Sequence, residues 1–185
     1  MSKAKAPSGK TAHVDHFAAD NLPPKFSWPD IDYSRLPELA ALPERINCAT
    51  ELLDNQAAIN RDARAVFDDT ISWSYSELLN QANRIANFLV NNLGIRPGNR
   101  ILLRSGNNPM YAACWFAVMK VGAIAVATMP LLRSRELTYI ADFAQVRIAL
   151  CDEKLVTELQ QTMEESKFLQ EIVCFNCTNE DGLES

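Results

Sequence analysis

The chain has 185 residues, of which 48% are hydrophobic and 22% charged. That profile belongs to about one ordinary globular domain and excludes collagen, coiled coil and wholesale disorder. Lys and Arg number 18 against 23 Asp and Glu, and the net charge of −5 offers no broad attraction for nucleic acid or an anionic membrane.

Residues 1–20 are small and polar and are expected to form a disordered tail. Lys3, Lys5 and Lys10 are followed by Thr11-Ala12-His13-Val14-Asp15-His16, with no apolar stretch of the kind a secretory signal needs, so the expected compartment is the cytoplasm. The five cysteines are odd in number and widely spread, which fits reduced thiols and implies no disulfide framework. Over residues 21–45, Pro23, Pro24, Pro29, Pro37 and Pro43 forbid a helix, while Phe26, Trp28, Ile31 and Tyr33 offer apolar anchors. This segment is expected to be an extended arm on the surface of the domain.

Residues 46–180 carry the expected domain. Leu52, Leu53, Gln56 and Ala57 suggest a short helix between Asn47 and Ile59. Two β-prone stretches, Arg64–Phe67 and Ile71–Trp73, flank Asp68-Asp69-Thr70 and predict a hairpin. Ser74 and Glu77 then form a capping box, in which hydroxyl and carboxylate each satisfy a free backbone N–H. Leu78, Ala82, Ile85, Leu89 and Leu93 make one helical stripe, and Gly94 supplies a left-handed stop.

Beyond Pro97-Gly98, short apolar runs alternate with helical candidates. Residues 101–103, 124–127, 148–150 and 172–175 are predicted strands buried on both faces, and 109–121, 135–143 and 153–167 are predicted helices. These intervals suit parallel crossovers, so the fold class is α/β with a largely parallel sheet and flanking helices. From Met110 to Leu132 the only charge is Lys120, but Gly122 and Pro130 divide this run into pieces suited to a buried helix and strand, so no membrane span is expected. Asn108 and Pro109 suit the start of the 109–121 helix. This helix is apolar all round, because Tyr111, Trp115, Phe116 and Met119 lie opposite the core stripe. It is expected to pack against protein outside the chain.

Local motifs carry little chemistry. His13-Val14-Asp15-His16 has metal-ligand spacing but lies in the tail without further ligands nearby, so no metal is expected. Cys174-Phe175-Asn176-Cys177 has redox or zinc spacing, yet Cys174 ends a strand, whereas a redox thiolate needs a helix N-terminus. No G-x-G-x-x-G, G-x-x-x-x-G-K-[ST] or G-x-S-x-G occurs, and the only histidines are His13 and His16. Two loops lie between strand and helix, Arg104–Pro109 and Met129–Arg133. The first is an anion site or an ordinary turn. In the second, Arg133 pairs with a phosphate or is simply solvated.

Several segments together resemble the N-terminal region of the AMP-forming adenylating enzymes, which include acyl-CoA synthetases, aryl-acid ligases and luciferases. They are Trp73-Ser74-Tyr75-Ser76-Glu77-Leu78, Ala82-Asn83-Arg84-Ile85-Ala86 and Gly94-Ile95-Arg96-Pro97-Gly98-Asn99-Arg100-Ile101, followed by Asn107-Asn108-Pro109-Met110, Lys120-Val121-Gly122-Ala123 and Ala127–Arg133. The likeness extends over about residues 20–175. Thr11–Asp15, Asn21–Pro24, Ala127–Arg133 and Ala149–Glu153 are most similar to the 2-aminobenzoate-CoA ligases of the benzoate-CoA ligase group.

The resemblance implies the N-terminal subdomain of the adenylating-enzyme fold and a two-step reaction. A carboxylate attacks the α-phosphate of ATP, with Mg²⁺, giving an acyl-adenylate and pyrophosphate; the CoA thiol then displaces AMP. In this family the phosphate loop, acid pocket, ribose motif and catalytic lysine lie beyond the position of Ser185. The chain is therefore expected to be an inactive part of a longer ligase, with no catalytic residue and no tight binding of ATP, Mg²⁺ or CoA by itself. Its implied partners are the remainder of the ligase, a small carboxylic acid and a possible second copy. The family's loop matching Met129–Arg133 approaches CoA, which makes Leu131 and Arg133 the expected cofactor contacts. The competing expectation is a free-standing, non-catalytic binding or dimerisation module that uses the apolar 109–121 helix.

Overall fold

The computed structural model describes residues 11–30, 36, 37, 43 and 45–177. In place of the disordered tail expected over 1–20, residues 11–20 form a docked strap that ends in a short helix, α1 (Phe17–Asp20). Val14 and Asp15 both donate backbone N–H groups to the Pro97 carbonyl, at 3.0 and 3.1 Å. The Asp15 carboxylate accepts from Asn99 Nδ2 at 2.9 Å and forms an ion pair with Arg100. Arg100 also lies over the Phe17 ring, 4.4 Å from its centroid. Residues 1–10 of that expected tail lie outside the described residues; for 11–20 the sequence carries no local sign of docking, because the anchors Asp15 and Phe17 have partners far along the chain.

Part of the expected arm, residues 31–35, 38–42 and 44, lies outside the described residues, and with it Ile31 and Tyr33. Residues 21–30 are exposed throughout and turn back on themselves at Lys25–Ser27, where the Trp28 indole donates to the Pro23 carbonyl at 2.8 Å. Phe26 is 90% exposed and so anchors nothing.

Asn47 caps the next helical segment through its Oδ1, which accepts from the Ala49 and Thr50 N–H groups. A π-helical turn at Thr50–Asp54 runs into α2 (Asn55–Ile59) and buries Leu53 and Ala57. The hairpin pairs β1 (Arg64–Phe67) with β2 (Ser72–Ser74) in antiparallel register, with a bulge between Arg64 and Val66. Asp68 Oδ1 holds its turn by accepting from the N–H groups of Thr70 and Ile71, both at 2.8 Å. The capping box at Ser74 and Glu77 is present and opens α3 (Tyr75–Asn91). Gly94 has φ +62° and lets Ile95 N–H reach back to the Leu89 carbonyl at 2.9 Å.

The remaining elements alternate: β3 (Arg100–Arg104), α4 (Pro109–Lys120), β4 (Ile124–Thr128), α5 (Ser134–Ala144), β5 (Ile148–Asp152), α6 (Val156–Glu165) and β6 (Glu171–Phe175). The four strands are parallel in the order β4-β3-β5-β6. Strand alternation sends Ile101, Leu103, Ile148 and Leu150 to one face, against Leu78, Ala82, Ile85 and Leu89 of α3 and Met110, Ala113, Cys114 and Ala117 of α4. Leu102, Ala149 and Cys151 project to the other face, against Leu137 and Ala141 of α5 and Leu159 of α6. Each such leucine or isoleucine contributes about 1.5–3 kcal/mol of transfer free energy.

The all-apolar helix α4 is covered in large part within the chain, although Tyr111, Trp115, Phe116 and Met119 remain partly accessible. None of its residues is exposed, because Tyr111, Trp115 and Phe116 pack against the same core as the stripe. The Asn47 amide donates to the carbonyls of Met119 and Lys120 at its C-terminus, and Lys120 pairs with Asp54. The hairpin and the residues around Asn47 thus add cover on the outer side of α4 beyond one helix layer per sheet face. No helix among the described residues is long and apolar enough to cross a membrane.

Candidate functional site

The connection after β3 passes to α4 on one face, and that after β5 passes to α6 on the other. The crevice between these neighbouring strands at their carboxyl ends is where open α/β sheets collect ligands. Four connections meet at this edge: residues 105–108, 129–133, 153–155 and 176–177.

Two buried polar residues tie them together. Asp152, at the end of β5, accepts through Oδ2 from Asn176 Nδ2 at 2.7 Å, Asn108 Nδ2 at 3.1 Å and, at a long 3.5 Å, Ser105 Oγ. Its Oδ1 accepts from Lys154 N–H at 3.1 Å. Asn108 completes the network by capping α4, its Oδ1 accepting from Tyr111 N–H at 2.8 Å. The 105–108 segment is therefore a braced strand-to-helix turn with a carboxylate already beside it, and the anion reading of this loop is not supported by its geometry.

Arg104 is 1% exposed and, among the described residues, faces no carboxylate at hydrogen-bonding distance. Its guanidinium donates to four backbone carbonyls: Met129 at 3.0 Å, Pro130 at 3.0 Å, Leu132 at 2.8 Å and Leu155 at 3.3 Å. Burial pushes its pKa below the usual arginine value, and Glu158 opposes that fall. Arginine tolerates such a setting because its fork distributes one charge over several donors. The 129–133 loop is thus held from beneath by the strand it follows around. The sequence carried a signal for this, since an arginine that ends a strand buried on both faces needs buried partners.

The structure brings Leu131 and Arg133 onto this loop. Leu131 is 81% exposed, and the Arg133 side chain is 77% exposed while pairing with Glu158 Oε1 at 2.9 Å. Glu158 also accepts from Ser134 N–H at 2.8 Å, and these two contacts hold its carboxyl below the usual range. Arg133 N–H donates to Glu136 Oε2 at 3.1 Å, which helps to open α5. Beside the loop is an open cleft of about 530 Å³ lined by Leu132, Arg135, Glu136, Tyr139 and Ile140. Apolar surface and arginine cations thus lie together.

The other sequence candidates lie elsewhere. His13 lines a separate cleft with Asn47, Cys48 and Met119. Among the described residues no group of three or more His, Cys, Asp or Glu side chains is placed to hold a metal ion. Burial raises the Cys174 thiol above its ordinary value, the direction opposite to that of a redox nucleophile.

A family profile described as AMP-binding enzyme matches residues 53–184. The chain belongs to the AMP-binding enzyme family. Benzoate-CoA ligase of Thauera aromatica is 26% identical to this AMP-binding enzyme over 153 residues, which are 82% of this chain and 29% of the relative. Crotonobetaine/carnitine-CoA ligase of Escherichia coli O127:H6 is 32% identical over 116 residues, 61% of this chain and 22% of that protein. The fold matches a crystal structure of an anthranilate CoA ligase in complex with anthranoyl-AMP, with TM-score 0.69 at 24% identity, over 74% of this chain and 26% of that one. A benzoate CoA ligase from Burkholderia xenovorans LB400 gives TM-score 0.64 at 24% identity, over 71% of this chain and 26% of that one. This AMP-binding enzyme chain therefore spans under a third of the length of the relatives it matches.

Proposed function

We propose that the chain is the N-terminal part of an ATP-dependent CoA ligase acting on 2-aminobenzoate or a related aromatic acid. The observation that carries this reading is the AMP-binding match over residues 53–184, whose sheet ends in an exposed loop bearing Leu131 and Arg133. Relatives named for benzoate and anthranilate support an aromatic acid. In the reaction, the acid's carboxylate attacks the α-phosphate of ATP and releases pyrophosphate; the CoA thiol then attacks the acyl carbon and releases AMP. On this reading ATP and Mg²⁺ are held by the remainder of the ligase; among the described residues no group of three or more His, Cys, Asp or Glu side chains is placed to hold a metal ion.

CoA suits the 129–133 loop. Arg133 meets a phosphate of CoA by exchanging its exposed pairing with Glu158, and Leu131 with the neighbouring apolar cleft lies along the pantetheine arm. The 185-residue chain alone is inactive on this reading.

The test uses the protein encoded by the whole reading frame, with ATP, Mg²⁺, CoA and a panel of aromatic acids. Substrate-dependent pyrophosphate release followed by thioester formation is expected, and none from the 185-residue chain. Arg133→Ala should raise the apparent KM for CoA on the order of tenfold, the loss of one charged contact, while acid-dependent ATP–pyrophosphate exchange continues. Equal losses in both half-reactions would remove the CoA role, and a full-length protein that forms no adenylate from any acid would remove the ligase assignment.

A further inference from the structure

The loop that carries Leu131 and Arg133 contains only one backbone hydrogen bond of its own, from Leu132 N–H to the Met129 carbonyl at 3.2 Å. Its shape is instead set from outside. Three of its carbonyls, Met129, Pro130 and Leu132, converge on the guanidinium of Arg104, which also reaches Leu155 in the turn that leads into α6. No single peptide or shorter side chain presents donors to four carbonyls at once, and arginine does so only in a planar fork.

We propose that Arg104 is the positioning residue of the CoA-contacting loop: its buried guanidinium fixes the 129–132 carbonyls so that Leu131 and Arg133 face the ligand, and it couples that loop to the turn before α6. The inference rests on the CoA reading of the loop. Arg104 itself touches no substrate, since it is 1% exposed. Glu158 belongs to the same assembly, because it holds Arg133 and Ser134 from α6, the helix whose leading turn Arg104 also grips. Leu131 and Arg133 are thereby held from below by one cation and from the side by one carboxylate.

The experiment compares Arg104→Lys and Arg104→Met with Arg133→Ala in the full-length ligase. Lysine keeps the charge but loses the fork, and misplacement of the loop on the ångström scale is expected to raise the apparent KM for CoA on the order of tenfold or more. ATP–pyrophosphate exchange should fall far less, and Arg104→Met should exceed Arg104→Lys in the same direction. Hydrogen exchange is read in parallel on the 185-residue chain, where Arg104→Lys should speed exchange at the Leu132 amide and leave the amides of α3 unchanged.

If Arg133→Ala raises the KM for CoA and Arg104→Lys does not, the positioning role is overturned and the CoA reading stands. If neither variant moves it, while exchange at Leu132 does respond, the CoA reading has failed and Arg104 holds a loop of other use. Equal loss of both half-reactions with faster exchange throughout the chain reduces Arg104 to a stability role. Arg104→Lys alone decides these outcomes if Arg104→Met does not fold.

Discussion

Replacing Gly98 by alanine tests whether residues 11–17 are integral to the fold. Gly98 has φ +90°, and a Cβ there would lie 2.2 Å from the Asp15 carbonyl oxygen. Positive φ alone costs an alanine about 1–2 kcal/mol. The clash must also push the strap away, which breaks the bonds from Val14 and Asp15 to the Pro97 carbonyl, each with a net worth of about 1 kcal/mol. The sum is about 3–4 kcal/mol, or roughly 6–16 °C in Tm for a chain of this size. Gly94 provides the control, since its φ is +62° and a Cβ there meets nothing within 4 Å. Gly94→Ala should therefore cost only about 1–2 kcal/mol. Thermal unfolding of both variants is followed by circular dichroism, then repeated in a chain that begins at residue 21. There the two substitutions should become equivalent, since the strap is no longer present to be displaced. Equal destabilisation of the full chain by both would refute the docked strap.

Asn108→Ala removes the cap of α4 together with the amide that braces Ser105 and Asp152, and should lower stability by about 1–2 kcal/mol in urea titration; a change below about 0.3 kcal/mol would contradict the cap. Partial burial raises the Asp15 pKa, but the Phe17 N–H, the Asn99 amide and the Arg100 guanidinium outweigh it and hold the carboxyl below its ordinary value. Its contribution is therefore present above the unfolded-state value of about 4 and is lost as pH falls through the folded value. Asp15→Asn should flatten the acid limb of the stability profile, and an unchanged slope below about pH 4 would count against the ion pair. Cys48 is exposed, while Cys151 is buried and its thiol is pushed up to about 12 by that burial. A thiol reagent followed by peptide mass mapping should label Cys48 rapidly and Cys114 and Cys151 only on unfolding; comparable rates at Cys48 and Cys151 would contradict the packing.

The parallel sheet was legible because its central strands β3 and β5 are buried on both faces and read as unbroken apolar runs, Ile101-Leu102-Leu103 and Ile148-Ala149-Leu150, whereas the edge strands β4 and β6, expected to be equally buried, are only partly so. Local chemistry was legible because its partners are close in sequence: Ser74 with Glu77, and Asn108 before Pro109, act within one helical turn. Contacts across long separations were not. Asp15 reads as one more polar residue in a polar tail until Arg100 is placed beside it, 85 positions later. Leu131 and Arg133 could be named from resemblance, but the four carbonyls that Arg104 gathers have no side-chain signature: an arginine ending a buried strand signals that it needs partners, not which ones they are. The cover of α4 was missed for a related reason, because the Asn47 amide meets Met119 and Lys120 through their backbone carbonyls.

The strap has a consequence for how the protein is made. Asp15 is synthesised 84 residues before its partner Asn99. At about 5–20 residues per second, the strap leaves the ribosome roughly 4–17 s ahead of the strand end that receives it. Throughout that interval Phe17 has no guanidinium to lie against, and Val14 and Asp15 have no Pro97 carbonyl to bond. The strap is therefore a segment that cannot settle until the 84 residues up to Asn99 have followed Asp15.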